Sequence, residues 1–471
     1  MKLRKIAHFA IGPIAAAGLG LITLPFVAWF FPIEDVGRLT MMQVVLSLSV
    51  SLFSLAMHQA YVREYHEEND KNALLKLSML PGLVLLTVTT ILILSLPYSV
   101  SMLLFGIDSK LLTFLLILGV YASFIINFLS HLLRMEERGL AFSATKIAPK
   151  LFFILLITLV MLLNFEASFN TLMVMNTLAI LFSLIVFILI TKSSYKILLR
   201  NKIDTALLKK MLFFSLPLVV GGVAYWGLTT MDRFFLRSLS GFEELGVYSL
   251  AVSLAGAVSV ISTVFSNLWH PTLYKWVKQG VEPDKIQLVI EYMTIAVAII
   301  WSSTGILSFI LPLLLPEGYK SIEYLIVACV SMPLFYILSQ TTGVGIGVTR
   351  KSLFSMLASV LAFIVNAILN YYLIPGYGAS GAAFATVISF FIFFIIRTEA
   401  SCIIWYSLPR VKIYFILIIY ILITTLNLLL KDAFIYSSIL WLVTLCIVFL
   451  IYKKNVVTGA IFIKRYIKGV S

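Results

Sequence analysis

The chain alternates long apolar runs with short polar turns. Runs occupy residues 7–31, 39–62, 74–96, 111–133, 147–164, 170–191, 211–234, 244–269, 286–311, 322–347, 352–374, 379–405, 412–430 and 433–452. Each is about 18–26 residues long, enough for a helix to cross ~30 Å of hydrocarbon. The pattern predicts an all-α polytopic membrane protein of about fourteen transmembrane helices. The first run follows Lys2, Arg4 and Lys5, and Ala15-Ala16-Ala17 imitates a signal-peptide cleavage site. The apolar stretch continues to Phe31, well past the ~7–15 residues of a signal core, so it reads as a retained first helix.

Polar residues inside the runs recur at steps of three or four, the spacing of one helix face. The second run carries Gln43, Ser47, Ser51, Ser54 and His58; the fourth carries Ser123, Asn127, Ser130, His131 and Arg134. The eighth has Ser249, Ser253, Gly256, Thr263 and Asn267, and the eleventh has Ser352, Ser355, Ser359, Asn366 and Asn370. A single Ser or Thr on such a face ordinarily serves helix–helix packing. Four striped helices together point to a hydrated cavity, with Gln43, Ser47, Ser54, His58, Asn127, His131, Asn267, Asn366 and Asn370 as its candidate lining.

The stripes belong to an internal repeat. Pro32-Ile33-Glu34-Asp35-Val36-Gly37 leads into the second run, and Gly241-Phe242-Glu243-Glu244-Leu245-Gly246 leads into the eighth, 209 residues later. Under that offset His58 coincides with Asn267 and Ser54 with Thr263. The expected organisation is two six-helix lobes related by this repeat, residues 1–191 and 211–410, joined by an amphipathic cytoplasmic linker at 192–210. Residues 411–471 add helices thirteen and fourteen and a basic cytoplasmic tail.

Composition agrees: 61% of residues are hydrophobic, 12% are charged, and the mean hydropathy is +1.05. A net charge of +14 is explained by its distribution. With the N-terminus inside, only Arg38, Lys110, Arg233, Arg237, Lys320 and Lys431 of the 35 basic residues fall outside, whereas the acids split evenly. This positive-inside bias puts both termini in the cytoplasm and removes any need for a nucleic-acid partner. Cys329, Cys402 and Cys446 are too few and too scattered for a disulfide framework or a metal site. No cofactor is expected.

Three passages resemble one family. They are EDVGRLTMMQVVLSLSVSLFSLAMHQAYVREY (Glu34 to Tyr65), MDRFFLRSLSGFEELGVYSLAVSLA (Met231 to Ala255) and NYYLIPGYGASGAAFATVIS (Asn370 to Ser389). In order and spacing they are similar to the polysaccharide (O-antigen type) flippases of the multidrug/oligosaccharidyl-lipid/polysaccharide superfamily. The resemblance spans the first twelve runs and lapses at Asn164-Phe165-Glu166-Ala167-Ser168-Phe169, which lacks the Gly-rich turn found before the twelfth. It implies a flippase, not an enzyme, in the bacterial inner membrane. Its substrate would be an undecaprenyl-diphosphate-linked oligosaccharide, delivered to the periplasmic leaflet for O-antigen, capsule or other lipopolysaccharide and exopolysaccharide assembly. A polysaccharide polymerase and a chain-length regulator are the implied protein partners, and H+ or Na+ the implied coupling ion.

On that reading Arg63, Arg134, Lys146, Lys150 and Arg397 are candidates for the diphosphate, since guanidinium matches phosphate bidentately. Simple anchoring of cations at the membrane interface is the competing explanation. Asp232, Arg233 and Glu399 are candidates for ion coupling or a structural ion pair. A drug or cation exporter of the same superfamily would want carboxylates deep in the cavity, and few are present. A membrane O-antigen polymerase or ligase would want a large outer loop, and the longest, from Pro97 to Lys110, is short. The orientation is directly testable. Reporter fusions after Lys202 and after Ser471 should read cytoplasmic, and one near Gly378 periplasmic; an external C-terminus would mean an odd number of spans.

Overall fold

A computed structural model describes residues 3–192, 204–280, 283–430 and 434–458, which form helices and turns without a strand. Most of the expected 192–210 linker, Lys431 and the basic tail after Gly459 lie outside the described residues. Helices α1 (Leu3–Phe30), α2 (Ile33–Phe53), α3 (Met57–Glu64), α4 (Lys71–Ser95), α5 (Val100–Phe105), α6 (Lys110–Met135), α7 (Gly139–Leu162) and α8 (Phe169–Ile190) build the first half. Then come α9 (Thr205–Thr230), α10 (Asp232–Leu239), α11 (Phe242–Lys278), α12 (Pro283–Leu307), α13 (Ile322–Cys329), α14 (Ser331–Thr342) and α15 (Val344–Val348). The chain closes with α16 (Leu353–Ile404), α17 (Val411–Leu429) and α18 (Phe434–Ile451).

Helix starts follow local chemistry. The side chains of Asp70 and Asp204 each accept from two backbone amides of the first turn, and Ser99, Ser109 and Ser168 each accept from one. Among the described residues, 12 helices are long and apolar enough to span a membrane. One of them, α16, is really two. Its 52 residues exceed any bilayer, and Gly378 breaks it at φ 52, ψ −130. A Cβ on Gly381 would lie 2.7 Å from the carbonyl oxygen of Leu373. A straight helix would hold those positions ~12 Å apart, so the chain reverses there. Counting α16 twice and adding α18 recovers the fourteen runs, and the chain is a multi-pass membrane protein.

Two runs differ in detail from plain helices. The second breaks at Leu55 and Ala56, both left-handed (φ 48 and 52), which costs about 1–3 kcal/mol each. The break re-aims α3 so that Met57, Ala60 and Tyr61 are buried and α3 packs on α4, α6 and α9. The tenth run is jointed into α13, α14 and α15. The Pro97–Lys110 connection contains α5, which the sequence pattern did not announce. At Asn164 the backbone takes φ 55, so asparagine does the work of the missing turn glycine.

The described chain forms two compact units, Met1–Ser249 and Leu250–Ser471. In the first, α7 packs on α1 and α8, α6 on α8 and α2, and α9 on α2 and α3. In the second, α14 packs on α16 and α12, and α12 on α18. Its centre is aromatic: Trp301 donates to the Val327 carbonyl (2.9 Å), and Tyr420 bonds both Ser302 (2.7 Å) and the Ala298 carbonyl (3.0 Å). Beside them a Cβ on Gly305 would lie 2.5 Å from the indole of fully buried Trp441. Gly305→Ala should therefore lower the melting temperature of the detergent-solubilised protein, overpacking costing about 1–3 kcal/mol. Adding Trp441→Phe should recover most of the loss, and a Gly305→Ala protein as stable as the parent would show the contact to be slack.

Candidate functional site

In the first unit the predicted stripe of α2 is split by depth. Gln43 and Ser47 are exposed, and Ser47 accepts from the Trp226 indole (3.0 Å), whereas Ser54 is buried and donates to the Ser51 carbonyl (3.4 Å). Beyond the break, His58 stacks on His131 of α6, ring centroids 4.7 Å apart and planes 26° from parallel. Asn127 lies one turn before His131, half-buried. Lys146 of α7 lies 5.7 Å from the Phe142 ring centroid, and Arg134 at the end of α6 is exposed. Of the α6 and α7 candidates, the structure places His131 directly against His58.

The other first-unit cations have defined partners. Lys150 donates to the Ala16 carbonyl of α1 (2.7 Å), which ties it to packing. Arg63 lies over the Phe214 ring at 4.4 Å and is half exposed. Next to it the structure reveals a residue the sequence reading passed over. Glu64, 1% exposed, takes Lys210 at 2.5 Å and lies 3.7 Å from Arg63. The only signal was a carboxylate beside Arg63 at an otherwise basic helix end; its partner lies 146 residues away.

Asp232 is buried and accepts a 2.6 Å hydrogen bond from the Tyr248 hydroxyl, while Arg233 donates to the Thr229 carbonyl at 3.3 Å. The two neighbours therefore point into different surroundings. Asp232 sits at the joint between α9 and α10.

In the second unit Arg397 lines a cavity of about 230 Å³ together with His270, Tyr274, Gln340, Arg350 and Ser355. Its guanidinium donates to Ser339 and Gln340 at 3.4 Å each, and lies 5.3 Å from the Phe393 ring centroid. His270 stacks on Tyr274, ring centroids 6.5 Å apart. Arg350 follows α15 in a left-handed turn (φ 58) that delivers it to the cavity. No carboxylate is among the described lining residues. His270, Tyr274, Gln340 and Arg350 were absent from the sequence candidates, although a basic residue in the short break after 347 was a signal. Glu399, close to Arg397 in sequence, instead takes Arg410 through both oxygens (2.5 and 2.7 Å) and the Tyr414 hydroxyl (2.6 Å). Arg410, in the connection before α17, is held firmly protonated by that bond. Asn366 and Asn370 are fully buried and bonded to each other at 2.9 Å, and Asn267 is exposed.

Comparisons with known proteins bear on this arrangement. The sequence profile of a family described as polysaccharide biosynthesis protein matches residues 3–276. No curated protein sequence matches the chain. Among solved structures the chain is similar to lipid II flippase MurJ in an inward closed conformation. There the identity is 16% and the TM-score 0.66, over 95% of this chain and 99% of that one. It is also similar to an inward-facing multidrug resistance MATE family transporter of the MOP superfamily. There the identity is 14% and the TM-score 0.58, over 83% of this chain and 93% of the other. At such identities the likeness establishes a shared fold.

The buried Glu64 yields a test of the site's framework. Lys210→Met should lower thermal stability in detergent, because it strands a carboxylate away from water. Lys210→Met combined with Glu64→Gln should recover much of the loss, since the neutral amide needs no counter-charge. Equal losses in the single and double variants would show that the cost lies elsewhere in Lys210.

Proposed function

Because the chain belongs to the polysaccharide biosynthesis protein family, we propose that it is a flippase for an undecaprenyl-diphosphate-linked oligosaccharide. It would move the repeat unit from the cytoplasmic to the periplasmic leaflet of the bacterial inner membrane, for O-antigen or a related surface polysaccharide. The observation that carries this reading is the second-unit cavity. Two guanidiniums and an imidazole converge there with hydroxyl and amide groups, and no carboxylate lines it. Such a site suits an anion with several acceptor oxygens, which is what a diphosphate presents. The Arg397 hydrogen bonds to Ser339 and Gln340 are long, 3.4 Å each, so a phosphate oxygen competes well for those two donors.

The rest of the molecule supports the same task. The cations of the first unit (Arg63, Arg134, Lys146) lie toward the end that the positive-inside bias makes cytoplasmic, where the substrate is made. Gln43 and Ser47 are exposed on α2 farther from that end, as a hydrated glycan would require. The proposed cycle is alternating access of the two halves around this path. Asp232 is the remaining candidate for H+ or Na+ coupling, because Glu399 is committed to Arg410 and Tyr414. A polymerase and a chain-length regulator would receive the product.

Cells lacking the protein should accumulate lipid-linked repeat units that periodate or an added glycosidase cannot reach in sealed spheroplasts. Accumulated units open to attack from outside would overturn the flippase reading in favour of a later step such as polymerisation. In the same assay Arg397→Ala should reach the membrane in normal amounts yet leave the units trapped, and Arg397→Lys should restore part of the flux. Lysine keeps the charge and loses the bidentate fork, whereas an interfacial anchor would tolerate both changes.

A further inference from the structure

The two repeat-related turns touch each other, and they do so reciprocally. Ile33 and Phe242 are 209 residues apart, as are Gly37 and Gly246. A Cβ on Gly37 would lie 2.1 Å from the carbonyl oxygen of Phe242, and one on Gly246 would lie 2.5 Å from the carbonyl oxygen of Ile33. Each glycine thus faces the carbonyl of the residue that its own counterpart contacts from, the pattern of a two-fold interface. Backbones this close admit no side chain at either position.

Charged groups gather round the contact. The Phe242 ring lies 4.8 Å from the Arg38 guanidinium and 5.4 Å from that of Arg237. Arg38 is itself paired with Asp35 (2.6 Å) and Glu34 (3.1 Å), and donates to the Phe105 carbonyl (3.1 Å). Arg237 donates to the Leu104 and Met102 carbonyls at 3.4 Å. The starts of α2 and α11, the end of α10 and the short helix α5 are therefore tied at one point. That point is the end of α2 opposite Arg63, about ten residues or ~15 Å from Gln43.

We propose that this reciprocal glycine contact, closed over by Phe242 and its two arginines, is a latch on the outer end of the path along α2. The chain's own connectivity makes it movable: α11 passes into the second unit at Leu250, so any displacement of that unit acts directly on Gly246. The interaction is built to release. Glycines leave no interlocked side chains to withdraw, and Arg38 keeps its carboxylate and carbonyl partners on α2 and α5 when Phe242 departs. The latch rests on the reading of α2 as a path wall, yet it is tested without reference to what is carried.

The test is the rate at which a membrane-impermeant thiol reagent, added outside spheroplasts, labels Gln43→Cys in a Cys446→Ser background. The parent should react slowly. Phe242→Ala and Gly246→Ala should each speed labelling about tenfold, by weakening the closed state relative to the open one. Labelling that is already fast in the parent, or unchanged in both variants at normal membrane abundance, overturns the latch. Should Gly246→Ala fail to accumulate, Phe242→Ala and Arg237→Gln decide on the same criterion. Failure here leaves the trapped-substrate experiment untouched, and failure of that experiment leaves labelling interpretable.

Discussion

In hydrocarbon every peptide N–H and C=O must find its partner within the protein, and an α-helix is the shortest way to provide one. This constraint decides most of the structure, and it makes each interruption of a helix informative. Leu55 and Ala56 break the second run three residues before His58. The joints at Val330 and Gly343 fall in the run that contributes Gln340 to the second-unit cavity, and the turn at Arg350 ends it. A regular helix at either place would be cheaper in backbone terms. The breaks persist because they turn polar side chains toward one another, out of the ladder direction that a straight helix imposes.

Charge is distributed by the same economy. Several carboxylates are neutralised within the fold: Glu64 by Lys210, Glu399 by Arg410, and Asp35 with Glu34 by Arg38. A buried carboxylate with its cation removed would cost far more than the pair contributes, so these pairs fix helix ends in register. The chain nevertheless carries 35 basic against 21 acidic residues. Neutralising the acids pairwise would leave a surplus of cations, and two of the cations, Arg350 and Arg397, line the second-unit cavity. A field of one sign there is a consequence of pairing elsewhere.

Hydropathy made the spans legible because the length of an apolar run is itself the physical quantity a bilayer selects. The reversal at Gly378 was equally visible, since Ile-Pro-Gly-Tyr-Gly can do little but turn. The break at Leu55 and Ala56 was hidden, because neither residue is a helix breaker and only burial of Met57 and Tyr61 offsets the left-handed backbone. Pairings such as Glu64 with Lys210 were hidden for a different reason: a stripe gives the face of one helix and says nothing of what stands opposite. Asn366 and Asn370 show the limit clearly. Their i, i+4 spacing placed them on one face, and they lie there bonded to each other, fully buried.

The repeat supplies a last distinction, between what geometry holds fixed and what chemistry is free to change. Gly37 and Gly246 occupy equivalent places and admit no side chain, so both copies keep them. Under the same offset His58 becomes Asn267: one stacks on His131, and the other is exposed on α11. The scaffold is thus two-fold where these backbones meet and asymmetric in the side chains that the repeated helices carry. An amphipathic cargo with a charged linkage, a hydrated head and an apolar tail has no two-fold axis of its own. On the proposed function, two similar halves match such a cargo by diverging in the side chains along the path while the turns of the repeat stay alike.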